Sequence, residues 1–405
     1  YLSPKYHVVI ANPPYMGGKG MNGRLGAWAK DNYPDSKSDL MTCFMERAQT
    51  LAQAKGLWGM INLPSWMFLS SFEKLRLRLL KVNKIMSLLH LGRGIFGADF
   101  GSVAFVVNNC KSTAETTGTY RRLFEKNSIV RDPEEIKQLF FKMDYGRFSV
   151  PQLRFIKIPG QPIAYWLSKK VFDSFEKLPP LSSVAPTKQG LATGDNDRFL
   201  RLWQEPSYSR IGFDCRSSEE TINRQERWYP CNKGGEFRKW YGNNNIVVNW
   251  ENGGEEIKNL FGDNGRLRSR PQNESFYFRP GLTWSAISIA SLSMRLSPSG
   301  AMFETKGAMC FPKKNDIHSV LAFSNTKIVN RLLLALSPTL DFHEGPVGRL
   351  PYCHAEGSSS IGTRCAEVAK WDWDSFETSW DFTSLPLVNP DYHQPTLKAT
   401  YQKLR

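Results

Sequence analysis

The sequence lacks several features that would place it in a protein class at once. Its 405 residues contain no apolar run near the ~18 residues that a membrane helix needs. Residues 1–10 have neither the charged start nor the small-residue cleavage site of a signal peptide. The seven cysteines form no CxxC pair, which argues against a disulfide framework. We therefore expect a cytoplasmic protein with no membrane partner.

Patterns for metal binding and hydrolysis are also missing. The sequence has no P-loop and no Ser-His-Asp signature. The Cys-His pair at 353–354 and Cys365 fit no standard four-ligand zinc spacing. Asp132, Glu135 and Lys137 are residue types found in nuclease sites, but they crowd into one helix start, where an N-terminal cap explains them better. We expect no bound metal.

Positive charge is what the sequence does have. The formal charge is +15, and both parts of the chain contribute. Residues 1–150 hold 21 Lys and Arg against 12 Asp and Glu, and the remainder holds 32 against 26. Clustered cations gain affinity for nucleic acid by releasing its counterions, so a polyanionic partner is favoured. A protein that is merely basic remains the alternative.

Strands and helices alternate through the first part of the chain. Apolar runs predict strands at His7–Ile10, Leu57–Ile61, Ile85–Leu91 and Ser102–Val107. Alternation of this kind is typical of a parallel α/β sheet. The sequence therefore predicts an α/β fold for this part.

Two helices are predicted between these strands. One begins at Asp39, shows a single apolar face that contains Phe44, and ends at Gly56. Ser70 and Glu73 have the spacing of a capping box before the second helix.

The composition changes at about residue 180. Residues 162–177 have a helical pattern that Pro179 and Pro180 end, and short strands with many Gly, Asn and Trp follow. One clearer helix is predicted at 318–336. We divide the chain into residues 1–150, a connector at 151–180, and a second domain at 181–405.

The most specific signal is Asn12-Pro13-Pro14-Tyr15, directly after the first predicted strand. The amino group of adenine is a poor nucleophile because its lone pair is delocalised into the ring. An Asn side-chain oxygen and a main-chain carbonyl that both accept from this group favour a tetrahedral nitrogen. The prolines keep the loop out of the sheet, and Tyr15 offers a face on which an extruded base can stack. The alternative is a proline-rich turn, but a strand's C-terminal end favours a site.

Several ordered segments resemble known methyltransferases. IANPPY, DLMTCFMERA, GMINLPSWMF and IFGADFGSVAFVV resemble the later motifs of gamma-type adenine-N6 methyltransferases. KQGLATGDNDRFLR, YFRPGLTWSAIS, GPVGRLPY and KWDWDSFETSWDF resemble the PglX family of BREX phage-defence systems. The likeness covers nearly the whole chain.

The resemblance implies a fold, a reaction and a set of roles. It implies the C-terminal half of a Rossmann-like methyltransferase domain, followed by a mixed α+β target-recognition domain. S-adenosylmethionine would donate the methyl group to an adenine flipped out of double-stranded DNA. Asn12 and the Pro13 carbonyl would hold the adenine, Tyr15 would stack on it, and Phe96 would pack on its other side, unless Phe96 is a core aromatic. Asn12 and Pro14 would also border the cofactor.

The family places its glycine-rich cofactor loop upstream of this motif, and only eleven residues precede Asn12. We therefore expect the main cofactor-binding segment to lie outside this chain, and the chain alone to be inactive. Other BREX proteins or a DNA-mimic inhibitor are expected partners besides DNA. The rival hypothesis is a non-catalytic DNA-recognition and protein-docking module. The recognition-domain resemblance disfavours a third hypothesis, an RNA or protein methyltransferase.

Candidate DNA contacts lie in the second domain. Arg266, Arg268 and Arg270 alternate in GRLRSRP, which would place them on one side of an extended segment. Arginine suits paired contacts with guanine or phosphate, and Lys313 and Lys314 could contact phosphate. A solvated loop is the alternative for the arginines. GLATGDNDR resembles the loop that opens a recognition domain, although a plain turn would have the same composition.

Overall fold

The chain folds into two compact units, Tyr1–Lys177 and Leu178–Arg405. The computed structural model describes residues 4–97, 99–113, 116–125, 129–287, 291–336 and 342–404. Among these residues no helix is both long enough and apolar enough to cross a membrane.

The first unit is built on a six-stranded sheet. Its strands are β1 (Tyr6–Ala11), β2 (Ala52–Asn62), β3 (Lys84–Arg93), β4 (Gly101–Asn108), β5 (Thr117–Arg122) and β6 (Arg147–Pro151). The strand order is β1-β2-β4-β3-β5-β6. The β1–β2 and β3–β5 pairs are parallel, whereas β4 and β6 run antiparallel to their neighbours. The α/β fold is confirmed, but the expectation of a parallel sheet is wrong.

The connection between β3 and β4 explains the mixed sheet. Only residues 94–100 separate the two strands. A parallel crossover needs about a dozen residues or more, so this short loop can join only antiparallel neighbours.

Within the described residues of the first unit, five α-helices accompany the sheet. They are α1 (Gly23–Asn32), α2 (Leu40–Leu51), α3 (Glu73–Val82), α4 (Pro133–Phe141) and α5 (Lys169–Lys177). Asp39 caps α2 as predicted, since its side chain accepts from the Met41 N–H. The expected apolar face is wrong, because Phe44 is 40% exposed while Met41 and Met45 are buried.

Three further local predictions also differ from the structure. Gly56 lies inside β2 and does not end α2. Ser70 lies in a short 3-10 turn, and α3 begins without a side-chain cap. The helix predicted from residue 162 begins at Lys169. Within the predicted connector, Phe155 packs against Tyr120 of β5, which places this segment inside the first unit.

The two faces of the first sheet differ in exposure. On one face Trp58, Met60 and Phe105 are buried. On the other, apolar side chains of β1, β3 and β4 are open: Ile10 is 81% exposed, and Val8, Met86 and Val106 are also exposed. Within the described residues this second face therefore has no covering layer.

The second unit contains two four-stranded sheets. The first has the order β13-β9-β10-β8 and the second has the order β12-β11-β14-β7. The strands are β7 (Thr187–Lys188), β8 (Leu200–Leu202), β9 (Trp228–Asn232), β10 (Ile246–Asn249), β11 (Gly281–Trp284), β12 (Met294–Ser297), β13 (Met302–Phe303) and β14 (Met309–Cys310). Side chains of both sheets, among them Tyr229, Val248 and Met309, form one apolar core.

The described part of the second unit contains seven α-helices. They are α6 (Asn196–Phe199), α7 (Glu251–Lys258), α8 (Ile317–Ser324), α9 (Lys327–Leu336), α10 (Glu344–Gly348), α11 (Ser358–Asp374) and α12 (Leu397–Leu404). The single helix predicted at 318–336 is thus two helices. The break is at Asn325, whose side chain bonds both the N–H and the carbonyl of Met294 in β12.

Candidate functional site

The Asn12–Tyr15 motif leaves the first sheet at the carboxyl end of β1. Ala11 is paired with Met60 of the parallel strand β2, so the motif emerges beside the end of that strand. Asn12 and Pro14 are exposed, whereas Pro13 is buried. The Asn12 amide is therefore accessible at the edge where α/β sheets place their sites.

Tyr15 ties this loop to β2. Its hydroxyl donates to the carbonyl oxygen of Ile61 at 3.2 Å and lies 3.4 Å from Oδ1 of Asn12. Partial burial raises the pKa of the Tyr15 phenol above its usual value, so the group stays a protonated donor. The bond holds the ring in place next to the Asn12 amide.

Asp39 fixes the other end of the motif. Its Oδ1 accepts from the Met16 N–H at 3.2 Å and from the Met41 N–H at 3.1 Å. The Leu40 N–H also donates to the Met16 carbonyl at 3.0 Å. The sequence identified Asp39 only as a helix start, since its contact with residue 16 depends on the tertiary fold.

Two phenylalanines lie near Tyr15, in the loop between β3 and β4. Phe96 is 51% exposed, so it is not a core aromatic. Its ring centroid lies 6.1 Å from that of Phe100, and Phe100 meets Tyr15 edge-on at 5.9 Å. Phe100 was missed by the sequence analysis, although its position four residues after Phe96 in a glycine-rich loop was a usable signal.

A shallow apolar depression of about 470 Å³ lies on the open face of the sheet beside Asn12. Its lining includes Ile10, Ile61 and Val106, and its only polar side chains are those of Asn12 and Ser87. S-adenosylmethionine carries a carboxylate, an ammonium group and ribose hydroxyls that need polar partners. The described residues of this depression therefore do not make a complete cofactor site.

The arginine run of the second unit lies against the loop that contains GLATG. Arg266, Arg268 and Arg270 are all exposed. Nη2 of Arg268 donates to the Gly194 carbonyl at 3.0 Å. The backbone of Arg270 exchanges two hydrogen bonds with that of Ala192. Two segments selected separately from the sequence are thus adjacent.

These three arginines carry no acidic partner among the described residues. Other arginines of the same unit are paired, as in Arg210 with Glu251 at 3.3 Å and Arg224 with Glu226 at 3.0 Å. Lys313 and Lys314 are likewise exposed, where the chain turns into α8. Uncompensated cations are what a phosphate-binding surface requires.

The remaining candidates form no site in the described part of the chain. No group of His, Cys, Asp and Glu there, Cys353, His354 and Cys365 included, could hold a metal ion. Asp132 caps α4 by accepting from the Glu134 N–H at 2.8 Å, as expected for a helix start.

Residues 2–96 match the family described as Eco57I restriction-modification methylase. The chain is 38% identical over 397 residues to the adenine-specific methyltransferase BrxX of Escherichia coli O9:H4 (strain HS), an alignment that covers 96% of this chain. It is also 38% identical to the adenine-specific methyltransferase PglX of Lacticaseibacillus casei (strain Zhang), over 99% of this chain. Over nearly its whole length the chain is therefore similar to PglX-type adenine-specific methyltransferases. It spans about a third of the length of these relatives, 31% and 34% respectively.

Solved structures show the same fold at low sequence identity. The Type IIL restriction-modification enzyme MmeI, solved in complex with DNA, matches 98% of this chain with a TM-score of 0.57 and 12% identity. The match covers 53% of the MmeI chain. The ATP-dependent Type ISP enzyme LlaBIII, solved bound to DNA, matches 89% of this chain and 29% of its own, with a TM-score of 0.51 and 14% identity. The fold of this chain is thus shared with these two restriction-modification enzymes.

Proposed function

We propose that this chain presents a flipped adenine for N6 methylation within a site-specific DNA methyltransferase of a phage-defence system. The observation that carries the proposal is the Asn12–Tyr15 geometry. An accessible Asn12 amide stands at a strand end, beside an aromatic ring fixed by a hydrogen bond to Ile61. The similarity of the chain to adenine-specific methyltransferases gives the reaction class.

The residues of this chain act on the adenine. Its amino group would donate to Oδ1 of Asn12 and to the Pro13 carbonyl, which localises the nitrogen lone pair. Tyr15 would stack on one face of the base, and Phe96, with Phe100 beside it, would close the other side. Stacking on an aromatic ring is worth roughly 1–3 kcal/mol per base. S-adenosylmethionine, when bound, would supply an activated methyl group, and positioning would provide most of the acceleration.

The complete cofactor site would need groups beyond the described lining of the depression. We infer that they come from the part of the longer relatives that this chain does not span, packed on the open apolar face. A contiguous patch of exposed apolar side chains of this kind marks an interaction surface. The proposal is consistent with the exposure of Ile10 at 81%.

Double-stranded DNA is the proposed partner of the second unit. Arg266, Arg268 and Arg270, which are exposed and have no acidic partner among the described residues, support this assignment. MmeI and LlaBIII, which share the fold, were solved with DNA. Other phage-defence proteins or a DNA-mimic inhibitor are proposed as further partners, on the resemblance to this family alone.

The direct test uses the full-length methyltransferase that contains this segment. Asn12→Ala should abolish methyl transfer while leaving duplex binding within about twofold, because it removes one acceptor for the amino group and no cation. Asn32→Ala, an exposed amide in α1, is the matched control and should keep normal activity. Normal turnover by Asn12→Ala would exclude the proposed role.

The sparse polar lining of the depression favours the rival function, a DNA-recognition and docking module. Calorimetric titration of this chain with S-adenosylmethionine, and separately with duplex DNA, distinguishes the two. DNA binding without cofactor binding would mean that this chain supplies recognition while its chemistry requires other residues. Micromolar cofactor binding would show that the chain completes the site unaided and would exclude the rival.

A further inference from the structure

A group of polar side chains that the sequence did not single out lies beside the arginine run. Nε2 of Gln272 is 3.5 Å from Oε1 of Gln189 and 3.5 Å from the Gly190 carbonyl oxygen. Nδ2 of Asn273 donates to the Gln189 carbonyl at 2.8 Å. Both glutamines are half-buried. The two segments, 188–190 and 272–273, form one surface.

Two cations flank this pair of glutamines in sequence and share one aromatic ring. Nζ of Lys188 lies 4.9 Å from the ring centroid of Phe276, and Cζ of Arg279 lies 5.3 Å from it. Phe276 packs in turn on Phe311, with ring centroids 4.8 Å apart. The aromatic contacts limit how far the two cations can move. We call Lys188, Gln189, Gln272 and Arg279 the Gln189–Gln272 cluster.

The charge of this cluster is not compensated by the protein. Neither Lys188 nor Arg279 has an acidic partner within ion-pair distance among the described residues. The acid nearest in sequence, Glu274, is already paired with Lys258 at 2.7 Å. Two like charges held near one ring repel each other, and an anion between them would relieve that repulsion.

The backbone that carries the cluster is strained. Phe278, which is buried, has φ 64, and Asn273 has φ 55. A left-handed conformation at a bulky residue is unfavourable and persists at sites where the surroundings enforce it. Here the carbonyl oxygen of Phe278 accepts from the Gly300 N–H at 3.0 Å, and the Phe278 N–H donates to the carbonyl oxygen of Ala301 at 2.9 Å. The turn therefore fixes the direction in which Phe276 and Arg279 leave the core.

We propose that the Gln189–Gln272 cluster reads one base pair of the target DNA. The glutamine carboxamides would contact a base edge, with Lys188 and Arg279 on the flanking phosphates. A carboxamide offers one donor and one acceptor, which match N7 and the N6 amino group of adenine in the major groove. The inference rests on the proposed function, since it assumes that the second unit binds duplex DNA.

The test measures sequence preference and salt dependence in the same chain. Selection from a random duplex library by the wild-type chain first defines the preferred positions. Gln272→Ala should lower discrimination at one position by roughly tenfold, as expected for loss of a bidentate base contact. Gln272→Glu, which keeps the shape, should shift that position toward cytosine because a carboxylate accepts from its amino group.

The double variant Lys188→Ala, Arg279→Ala separates phosphate contact from base contact. It should weaken binding to all sequences and reduce the slope of log K against log salt by about two, one for each phosphate lost. Arg210→Ala removes a similarly exposed charge that is paired with Glu251, and it should leave the slope unchanged. A thermal melt of each variant checks folding.

The outcomes separate the two levels of the proposal. If the wild-type chain does not bind duplex DNA, the proposed function fails and the cluster has no substrate. If it binds, and both Gln272 variants select the same sequences as the wild type, the cluster does not read a base and the inference alone is overturned.

Discussion

At the residue scale, Tyr15 combines two functions that a single substitution separates. The hydroxyl anchors the loop to Ile61, and the ring is the proposed stacking face.

Tyr15→Phe keeps the ring and should lower methylation less than about fivefold, since a neutral hydrogen bond contributes about 1 kcal/mol. Tyr15→Ala should weaken capture of the flipped base by roughly five- to 150-fold. Fluorescence of 2-aminopurine at the target position in the full-length enzyme measures this directly. Equal effects of the two variants would contradict a stacking role.

His90 gives the first unit a pH-dependent stability. Its Nδ1 lies 3.2 Å from the Tyr165 hydroxyl, and its ring packs edge-on against Phe124. Burial, with a smaller effect of the Arg122 charge, lowers the pKa of His90 to about 3. The unfolded chain would take up this proton near pH 6.5. The stability contributed by neutral His90 is therefore complete above about pH 6.5 and is lost as the pH falls toward 3.

The change in the free energy of unfolding should reach about 1.4 kcal/mol per pH unit inside this window. Urea unfolding of the wild type and of His90→Gln between pH 4 and 7 measures the difference. The variant should be less stable at pH 7 but should lose less stability on acidification. Parallel curves would mean that His90 titrates normally in the folded state.

At this scale, the sequence predicted the residues that lie in one local motif and missed those that are far apart in the chain. Asn12 and Tyr15 were identifiable because a strand followed by a stiff loop is a local pattern. Asp39 and Phe100, which complete the surroundings of Tyr15, lie 24 and 85 residues away from it in the chain. Their proximity depends on the pairing of β1 with β2 and on the β3–β4 loop, which no local pattern encodes.

At the element scale, the failed prediction of a single helix at 318–336 also has a long-range cause. The pattern at 318–336 is helical throughout, but the chain breaks at Asn325, whose side chain bonds Met294 of a distant strand. A long-range bond thus overrides helix propensity. The antiparallel direction of β4, by contrast, was predictable, because seven residues cannot form a crossover.

Gly190, in the loop that contains GLATG, packs closely against β13. A Cβ at this position would overlap the carbonyl oxygen of Phe303, whereas one at Gly345 in α10 would meet nothing within 4 Å. Gly190→Ala should therefore destabilise the second unit by about 3 kcal/mol or more. Gly345→Ala, the control, should be neutral or slightly stabilising. Chemical denaturation monitored by tryptophan fluorescence compares them, and similar midpoints would contradict the close packing.

At the scale of the whole molecule, net charge and uncompensated charge are distributed differently. Residues 1–177 hold 26 Lys and Arg against 14 Asp and Glu, whereas residues 178–405 hold 27 against 24. The first unit is thus +12 and the second +3. In the second unit at least five arginines outside the segment 266–279 are paired with acids, among them Arg210 and Arg224, whereas those within it have no acidic partner among the described residues. The first unit should supply much of the nonspecific attraction to DNA, and the second unit the sequence preference.

Separate expression of residues 178–405 tests this division. The unit has its own apolar core, so it is expected to fold alone. It should bind duplex DNA more weakly than the whole chain at low salt, with a shallower slope of log K against log salt, because fewer phosphates are neutralised. Its preference among sequences should match that of the whole chain. Fluorescence anisotropy across a salt series, with residues 1–177 as the complementary fragment, measures both quantities.

An unchanged slope would mean that the charge of the first unit does not contact DNA. Loss of sequence preference would place base recognition outside the second unit.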